Sequence, residues 1–145
     1  MHSRIFEILP LDYKAEDVWT EIPDWWVSEN CDYVDEVDSK DRKQSIKYYL
    51  SDEDVRGEII TFTKNHLLKS WEKFRESMDK IQNFTKDKFL SGDSDLSWVM
   101  YDLSESYNSH TGVWFLDVNG DIYTKDDMER MGGVYKIGRI WDYHF

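Results

Sequence analysis

The sequence predicts an α+β fold in which a small antiparallel sheet packs against several helices. Apolar residues recur at helical spacing through the first two-thirds of the chain, whereas about the last forty residues carry strand and turn patterns. The 145 residues suit one domain with a single core, and no linker rich in Pro, Gly or Ser divides them. We therefore expect a single domain over residues 1–145.

The first third of the chain predicts one strand and two helices. The stretch Ile5–Leu9 is typical of a strand, and Pro10 ends it. Over Asp24–Val37 apolar side chains recur at helical spacing after Pro23, a residue that suits the entrance of a helix. A second short helix is expected around Ile46–Leu50.

The longest predicted helix lies near Glu58–Phe84. Ser51 and Asp54 form a variant of the capping box before it, although Gly57 favours a start after that residue. Its apolar residues follow a four-three rhythm that places them on one stripe: Ile60, Leu67, Trp71, Phe74, Met78 and Ile81. Another amphipathic helix is expected from Asp95 to Tyr107.

The strongest turn signal lies in the predicted hairpin Val113–Thr124. Its Asn119-Gly120 pair suits the two positive-φ positions of a type I′ turn. The stretch Asp117–Asp121 also resembles the first positions of an EF-hand or dockerin-type calcium loop. However, Ile122 and Met128 stand where such a loop has its glycine and its closing acid. The hairpin explains these residues without a metal, so we expect neither a metal site nor a cofactor.

The C-terminal segment predicts one more helix and the rest of the sheet. Thr124 and Asp127 resemble a second capping box, and Gly132 suits the end of the short helix that follows. The stretch Val134–His144 then predicts strands. Together with the hairpin and the N-terminal strand, these strands would form the antiparallel sheet.

The composition combines a large acidic excess with many aromatic residues. Thirty acidic residues oppose eighteen Lys and Arg, which gives a net charge of −12, alongside 7 Trp, 9 Tyr and 7 Phe. Disordered acidic chains are poor in aromatic residues, so this chain should fold and keep its charge outside. Such a charge opposes binding to anionic membranes and to nucleic acids. A basic protein surface is therefore the expected partner.

The sequence also bounds the compartment. Its single cysteine, Cys31, excludes an intrachain disulfide and suits a reducing cytosol. The first residues lack the apolar region of a signal peptide, and no apolar run approaches the ~20 residues that span a bilayer. We therefore expect a cytoplasmic protein.

No residue pattern points to a particular catalytic chemistry. The chain lacks the glycine motifs of serine hydrolases and of nucleotide-binding sites. The four histidines are scattered and form no i, i+4 zinc pair: His2, His66, His110 and His144. One alternative is a metal-assisted hydrolase that uses acids near Asp117–Asp127. Another is an adaptor or oligomer subunit whose charge provides solubility only.

The candidate binding face combines tryptophans with carboxylates. Two adjacent Trp residues on a helix cannot both face the core comfortably, so either Trp25 or Trp26 should be exposed. The alternative is that both rings cap the edge of a small core. An exposed ring among carboxylates can anchor Arg and Lys side chains of a partner. The candidate residues are Glu16, Asp17, Trp19, Glu21, Trp25, Glu29, Asp32 and Glu36.

The spacing of three of these acids suggests a function. If the helix extends to Val37, then Glu29, Asp32 and Glu36 lie on one side at roughly 6 Å intervals, comparable with successive phosphates. Small acidic inhibitors of nucleases and host-defence enzymes use carboxylates in this way. We therefore expect an acidic, non-enzymatic protein-binding module that acts as an inhibitor or nucleic-acid mimic.

Overall fold

The computed structural model describes residues 2–14, 21–107 and 112–145. The chain divides into two compact units. We call Met1–Thr63 with His110–Phe145 the sheet unit, and Lys64–Ser109 the helical unit. The α+β class is confirmed, and the single domain stays a prediction.

The sheet unit contains seven described strands. They are β1 His2–Leu9, β2 Tyr33–Glu36, β3 Val55–Arg56, β4 Ile59–Phe62, β5 Trp114–Leu116, β6 Ile122–Thr124 and β7 Gly133–His144. Their order is β3-β4-β7-β1-β5-β6, and β2 pairs with β7 beside β4. Because β1 runs antiparallel to β7 but parallel to β5, the sheet is mixed rather than wholly antiparallel.

Six described helices accompany these strands. The sheet unit contains α1 Asp24–Asn30, α2 Ser39–Tyr49 and α6 Lys125–Met131, and the helical unit contains α3 Asn65–Gln82, α4 Lys86–Ser91 and α5 Asp95–Tyr107. Thr124 and Asp127 form the predicted capping box of α6, and Gly132 follows its last residue. None of the described helices combines the length and apolar character needed to cross a bilayer.

Both faces of the sheet are covered, because successive side chains of β1 point to opposite sides. On one face Phe6 and Ile8 belong to a core that also contains Met128 of α6 and packs against Ile46 of α2. On the other face Ile5 packs in a second core with Trp26 of α1, Leu116, Trp141 and Tyr143. The three helices of the sheet unit therefore bury both faces of its strands.

A β-bulge interrupts the pairing of β1 with β7. The register shifts between Phe6 and Ile8, so that Glu7 lies opposite both Gly138 and Arg139. Glu7 is only 2% exposed, and its carboxylate accepts the backbone N–H of Arg139 at 2.7 Å and the Arg139 guanidinium at 3.2 Å. A buried acid thus satisfies the backbone donor that the bulge leaves without a strand partner.

The predicted helix over Asp24–Val37 is wrong beyond Asn30. The backbone N–H of Asp32 donates to the carbonyl of His144 at 2.8 Å, and Tyr33–Glu36 forms β2 along β7. The apolar spacing of the C-terminal half suits a strand as well, since Val34 packs against the second core. Pairing with a distant strand therefore overrides the local helical pattern.

The start of the predicted long helix is also wrong, because residues 58–64 precede α3. Gly57 adopts a φ of 65° in the tight connection between β3 and β4. Ile60 and Phe62 alternate into the first core at 2% and 4% exposure. Ser51 and Asp54 cap no helix; the backbone N–H of Asp54 donates to the Ser51 carbonyl in a turn.

The hairpin of β5 and β6 is confirmed, but its predicted type I′ turn is wrong. Only Gly120 of the Asn119-Gly120 pair has a positive φ, at 85°. The backbone N–H of Gly120 donates to the Asp117 carbonyl at 3.1 Å. The Asp117 carboxylate accepts the backbone N–H groups of Asn119 and Asp121 at 2.8 and 3.0 Å. Because the Asp117 carboxylate accepts hydrogen bonds from backbone N–H groups of the same loop, it favours a longer turn with one left-handed residue.

The helical unit differs from the sheet unit in its burial. Its helices α3 and α5 pack together, yet none of its described apolar side chains is fully buried. Trp71 on α3 and Trp98 on α5 are 55% and 67% exposed. The predicted apolar stripe of α3 is thus only partly covered.

Candidate functional site

The candidate site lies around β2, in the most acidic part of the chain. Residues 15–39 contain nine acidic residues and no Lys, Arg or His. Three of the predicted site residues, Glu16, Asp17 and Trp19, lie outside the described part of the chain. The others lie on α1, on β2 and in the segments beside them.

Helix α1 separates the two adjacent tryptophans. Trp26 is 2% exposed, and its ring centre lies 5.7 Å from that of Trp114 and 5.3 Å from that of Tyr143. Trp25 is 58% exposed. The prediction that one of the two is exposed is confirmed, and the alternative that both cap the core is wrong.

The three acids that were expected on one helix face lie on different elements. Glu29 is on α1, Asp32 lies between α1 and β2, and Glu36 is the last residue of β2. Their predicted helical spacing is therefore wrong, because the helix ends before Asp32. Glu21 precedes α1 and is exposed.

Several carboxylates on α1 and β2 have no ionic partner in the part of the chain that the structure describes. Glu29, Asp35 and Glu36 are exposed and make no ion pair with any described residue. Some other acids of the sheet unit are paired, since Glu7 bonds Arg139 and Asp54 bonds Lys125 at 3.1 Å. We use the name acidic edge for these three acids of α1 and β2 together with Trp25 and Tyr33, which is 42% exposed.

Within the described residues, β2 has a strand partner along one side only. Among the described strands it pairs only with β7, while β4 pairs with the other half of β7. Charged residues on such an edge prevent unspecific strand pairing. The same edge can accept an extended segment of a partner, and its carboxylates would select a basic one.

Asp32 takes part in a different arrangement. Its carboxylate lies 3.0 Å from Nδ1 of His144, whose ring stacks on Tyr33 with a centroid distance of 5.6 Å and an interplanar angle of 9°. The ring of His2 lies 5.1 Å from that of His144, and its Nδ1 lies 3.2 Å from Asp142. Sequence spacing could not reveal this cluster, because only the pairing of β1 with β7 brings His2 and His144 together.

Cys31 has the surroundings of a packed residue rather than of a reactive thiol. It packs against the second core, and its Sγ lies 3.4 Å from the carbonyl of Val27. Burial raises the pKa of the Cys31 thiol, and the nearby Asp32 carboxylate raises it further. Both effects oppose formation of the thiolate.

The acids that suggested a metal-assisted hydrolase have local roles. Asp117 bonds its own loop, as described above, and Asp127 accepts the Thr124 hydroxyl at 2.7 Å. The hydrogen bond from that hydroxyl lowers the pKa of Asp127. Within residues 2–14, 21–107 and 112–145, no three His, Cys, Asp or Glu side chains gather into a metal cage.

Two polar cavities lie outside the acidic edge. One of about 350 Å³ lies beside α2, where Arg4 bonds Ser45 at 3.1 Å and also Asp142. The other, of about 570 Å³, lies within the helical unit between α3 and α5.

Comparison of the chain with protein-family models, curated proteins and solved structures gives no match. Function is therefore inferred from the geometry.

Proposed function

We propose that this chain is an acidic protein-binding module that occupies a basic surface of another protein through the acidic edge. One observation carries the proposal: Trp25 and Tyr33 are exposed on α1 and β2, the same elements whose carboxylates Glu29, Asp35 and Glu36 have no cationic partner among the described residues. Such a surface offers the side chains that Arg and Lys contact best. Occupying a basic surface in this way would inhibit an enzyme that uses it, such as a nuclease or a host-defence enzyme.

In this proposal the binding free energy comes from ion pairs between the edge carboxylates and Arg or Lys side chains of the partner. Glu29, Asp35 and Glu36 have no ion pair with a described residue that would have to break before they bind a partner. The rings of Trp25 and Tyr33 add stacking and cation-π contacts with Arg or Lys. The acidic excess of the whole chain attracts a basic partner before contact and so increases the association rate.

The positions of the edge side chains limit the shape of the partner segment that they can contact. Because α1 ends at Asn30, the acids of the edge do not form a helical row of phosphate-like charges. On β2, Tyr33 and Asp35 alternate with Val34 and Glu36 across the sheet. An extended basic segment that lies along β2 fits this alternation better than a surface shaped for a nucleic-acid helix.

The test compares two variants of equal charge. The full chain first captures proteins from its host at low salt, and the captured protein is purified and titrated by calorimetry. The edge variant Glu29→Gln/Asp35→Asn/Glu36→Gln should weaken binding by about tenfold or more. The control Asp52→Asn/Glu72→Gln/Asp79→Asn removes the same charge from exposed acids elsewhere and should have a much smaller effect.

Two results would contradict the proposal. Equal losses in the edge variant and the control would indicate unspecific attraction by net charge. An affinity that stays constant between low and high salt would exclude charge complementarity, because exposed pairs are screened. Trp25→Ala should also weaken binding while the fold is preserved, since Trp25 lies outside both cores.

A further inference from the structure

The two histidines at the end of the sheet have an arrangement that none of the preceding roles uses. His2 and His144 are paired residues of adjacent antiparallel strands, β1 and β7. Both side chains are accessible, at 54% and 35% exposure. Their ring centres lie 5.1 Å apart. The strands therefore hold two imidazoles side by side at the surface.

Each imidazole is oriented through one nitrogen by a carboxylate. Nδ1 of His2 lies 3.2 Å from Asp142, and Nδ1 of His144 lies 3.0 Å from Asp32. With the proton on Nδ1, the lone pair of each ring is on Nε2. Neither Nε2 atom has a hydrogen-bond partner among the described residues.

Histidines that bind a metal almost always donate their other ring N–H to a carboxylate, a backbone carbonyl or water. Such a carboxylate fixes the tautomer and makes the free nitrogen a better ligand. Two imidazoles that share one tetrahedral ion at an N-to-metal distance of about 2.0–2.1 Å hold their ring centres roughly 5 Å apart. The observed separation of 5.1 Å, with ring planes inclined at 60°, is compatible with this distance.

We propose that His2 and His144 bind one divalent transition-metal ion through their Nε2 atoms. Asp142 and Asp32 position the rings, and the face-to-face contact with Tyr33 holds the plane of His144. The described residues supply two nitrogen ligands and no third acidic, His or Cys ligand, so water completes the coordination. Imidazole ligands select Cu²⁺, Zn²⁺ and Ni²⁺ over Mg²⁺ and Ca²⁺.

This site shares Tyr33 with the acidic edge but uses none of the edge acids as ligands. It gives Asp32 a role as a positioning residue, whereas Glu29, Asp35 and Glu36 do not contact either imidazole by any described hydrogen bond. Loss of the ion therefore leaves the edge acids in place. The two proposals can fail separately.

The test is calorimetric titration of the full chain, produced without a histidine tag, with Zn²⁺, Cu²⁺ or Ni²⁺ as the probe. We expect one ion per chain, an affinity order that follows the Irving–Williams series, and no displacement by excess Mg²⁺ or Ca²⁺. Co²⁺ should give the visible absorption of a site with nitrogen ligands. Zn²⁺ should also raise the melting temperature as its concentration increases.

Variants separate ligands from positioning residues. His2→Gln and His144→Gln should each abolish stoichiometric binding, whereas the control His66→Gln on α3 should bind like the parent chain. Asp142→Asn and Asp32→Asn should weaken binding by about 10- to 100-fold without changing the stoichiometry. Circular dichroism should show that each variant is folded.

Several outcomes would overturn the proposal. Zinc binding that persists in the double variant His2→Gln/His144→Gln would place the metal elsewhere. Competition by Mg²⁺ at equal concentration would indicate unspecific adsorption to carboxylates. Binding that is lost in the Glu29→Gln/Asp35→Asn/Glu36→Gln variant but kept in His2→Gln would assign the ion to the acidic edge instead.

Discussion

The α-carbon of Gly138 lies against the carboxylate of Glu7, so that a Cβ at position 138 would overlap that carboxylate. Glu7 cannot withdraw easily, because it is buried and accepts the backbone N–H of Arg139. Gly138→Ala should therefore lower the free energy of unfolding by roughly 1–3 kcal/mol, the usual cost of overpacking. Urea denaturation of the two proteins measures this difference.

A double-mutant cycle provides the control. Glu7→Ala removes the obstacle but leaves the bulge donor without its charged acceptor, at a cost of roughly 1.5–3 kcal/mol. In that background Gly138→Ala should cost much less than in the parent chain. Additive effects would show that Glu7 and Gly138 do not constrain each other.

The adjacent tryptophans should respond in opposite ways to truncation. Trp26→Ala removes a ring from the second core and should cost about 3–5 kcal/mol, with Trp26→Phe as a milder variant if the first does not fold. Trp25→Ala should change stability by no more than about 0.5 kcal/mol, because the ring is largely exposed. Guanidinium denaturation measures both. Similar losses would contradict the separation of the two rings by α1.

Local signals predicted the elements that depend on local interactions. The capping box of Thr124 and Asp127 and the helix from Asp95 need only neighbouring residues. The strand Tyr33–Glu36 needs its partner residues Trp141–His144 of β7, which lie more than a hundred residues later. Its Val34 suits helical and strand spacing equally, so the sequence pattern could not distinguish the two.

In the candidate site, too, only the features that depend on neighbouring residues could be predicted. Two adjacent tryptophans on a short helix cannot both face the core comfortably, and Trp25 is the exposed one. The pairing of Asp32 with His144 could not be predicted, because it depends on the register of β2 against β7. Sequence spacing therefore identified the acidic segment but not the arrangement of its side chains.

Loss of the α6 cap should be measurable. The Thr124 hydroxyl accepts the backbone N–H of Asp127 at 3.2 Å. Thr124→Ala should lower the free energy of unfolding by about 1 kcal/mol, whereas Thr124→Ser, which keeps the hydroxyl, should lower it much less. Thermal denaturation compares the three proteins. Equal losses for Ala and Ser would exclude the hydroxyl as the cause.

The same cap predicts a pH dependence. The hydrogen bond from Thr124 lowers the pKa of Asp127 below its usual 3.8, so ionised Asp127 stabilises the folded state. This contribution is present above pH 3.8 and is lost as the pH falls through the lower folded pKa. The stability difference between the parent chain and Asp127→Asn should therefore shrink in acid. A difference that is constant across this range would contradict the prediction.

Salt should stabilise the protein. The unpaired acids of the acidic edge add to the repulsion within a chain of net charge −12. Because the Debye length falls to about 10 Å at 0.1 M salt, added NaCl should raise the urea midpoint. The rise should be smaller in Glu29→Gln/Asp35→Asn/Glu36→Gln. An equal rise in both proteins would place the repulsion elsewhere.

Arg42 of α2 satisfies the other side of the bulge. Its guanidinium donates to the Ile137 carbonyl at 2.7 Å, to the Gly138 carbonyl, and through Nε to Glu58 at 2.6 Å. Arg42→Lys keeps the charge but lacks the planar fork that reaches both carbonyls. Arg42→Lys should therefore lower the free energy of unfolding by roughly 1.5–3 kcal/mol, as expected for hydrogen bonds to a charged group.

The matched control is Glu58→Gln, which removes only the exposed ion pair of Arg42 and should cost about 0–1 kcal/mol. Hydrogen exchange adds a local measure: in Arg42→Lys the amides of β7 around the bulge should exchange faster, whereas those of β5 should change less. If Arg42→Lys and Glu58→Gln had the same effect, the contribution of Arg42 would come from the surface ion pair. The bulge carbonyls would then not depend on the guanidinium.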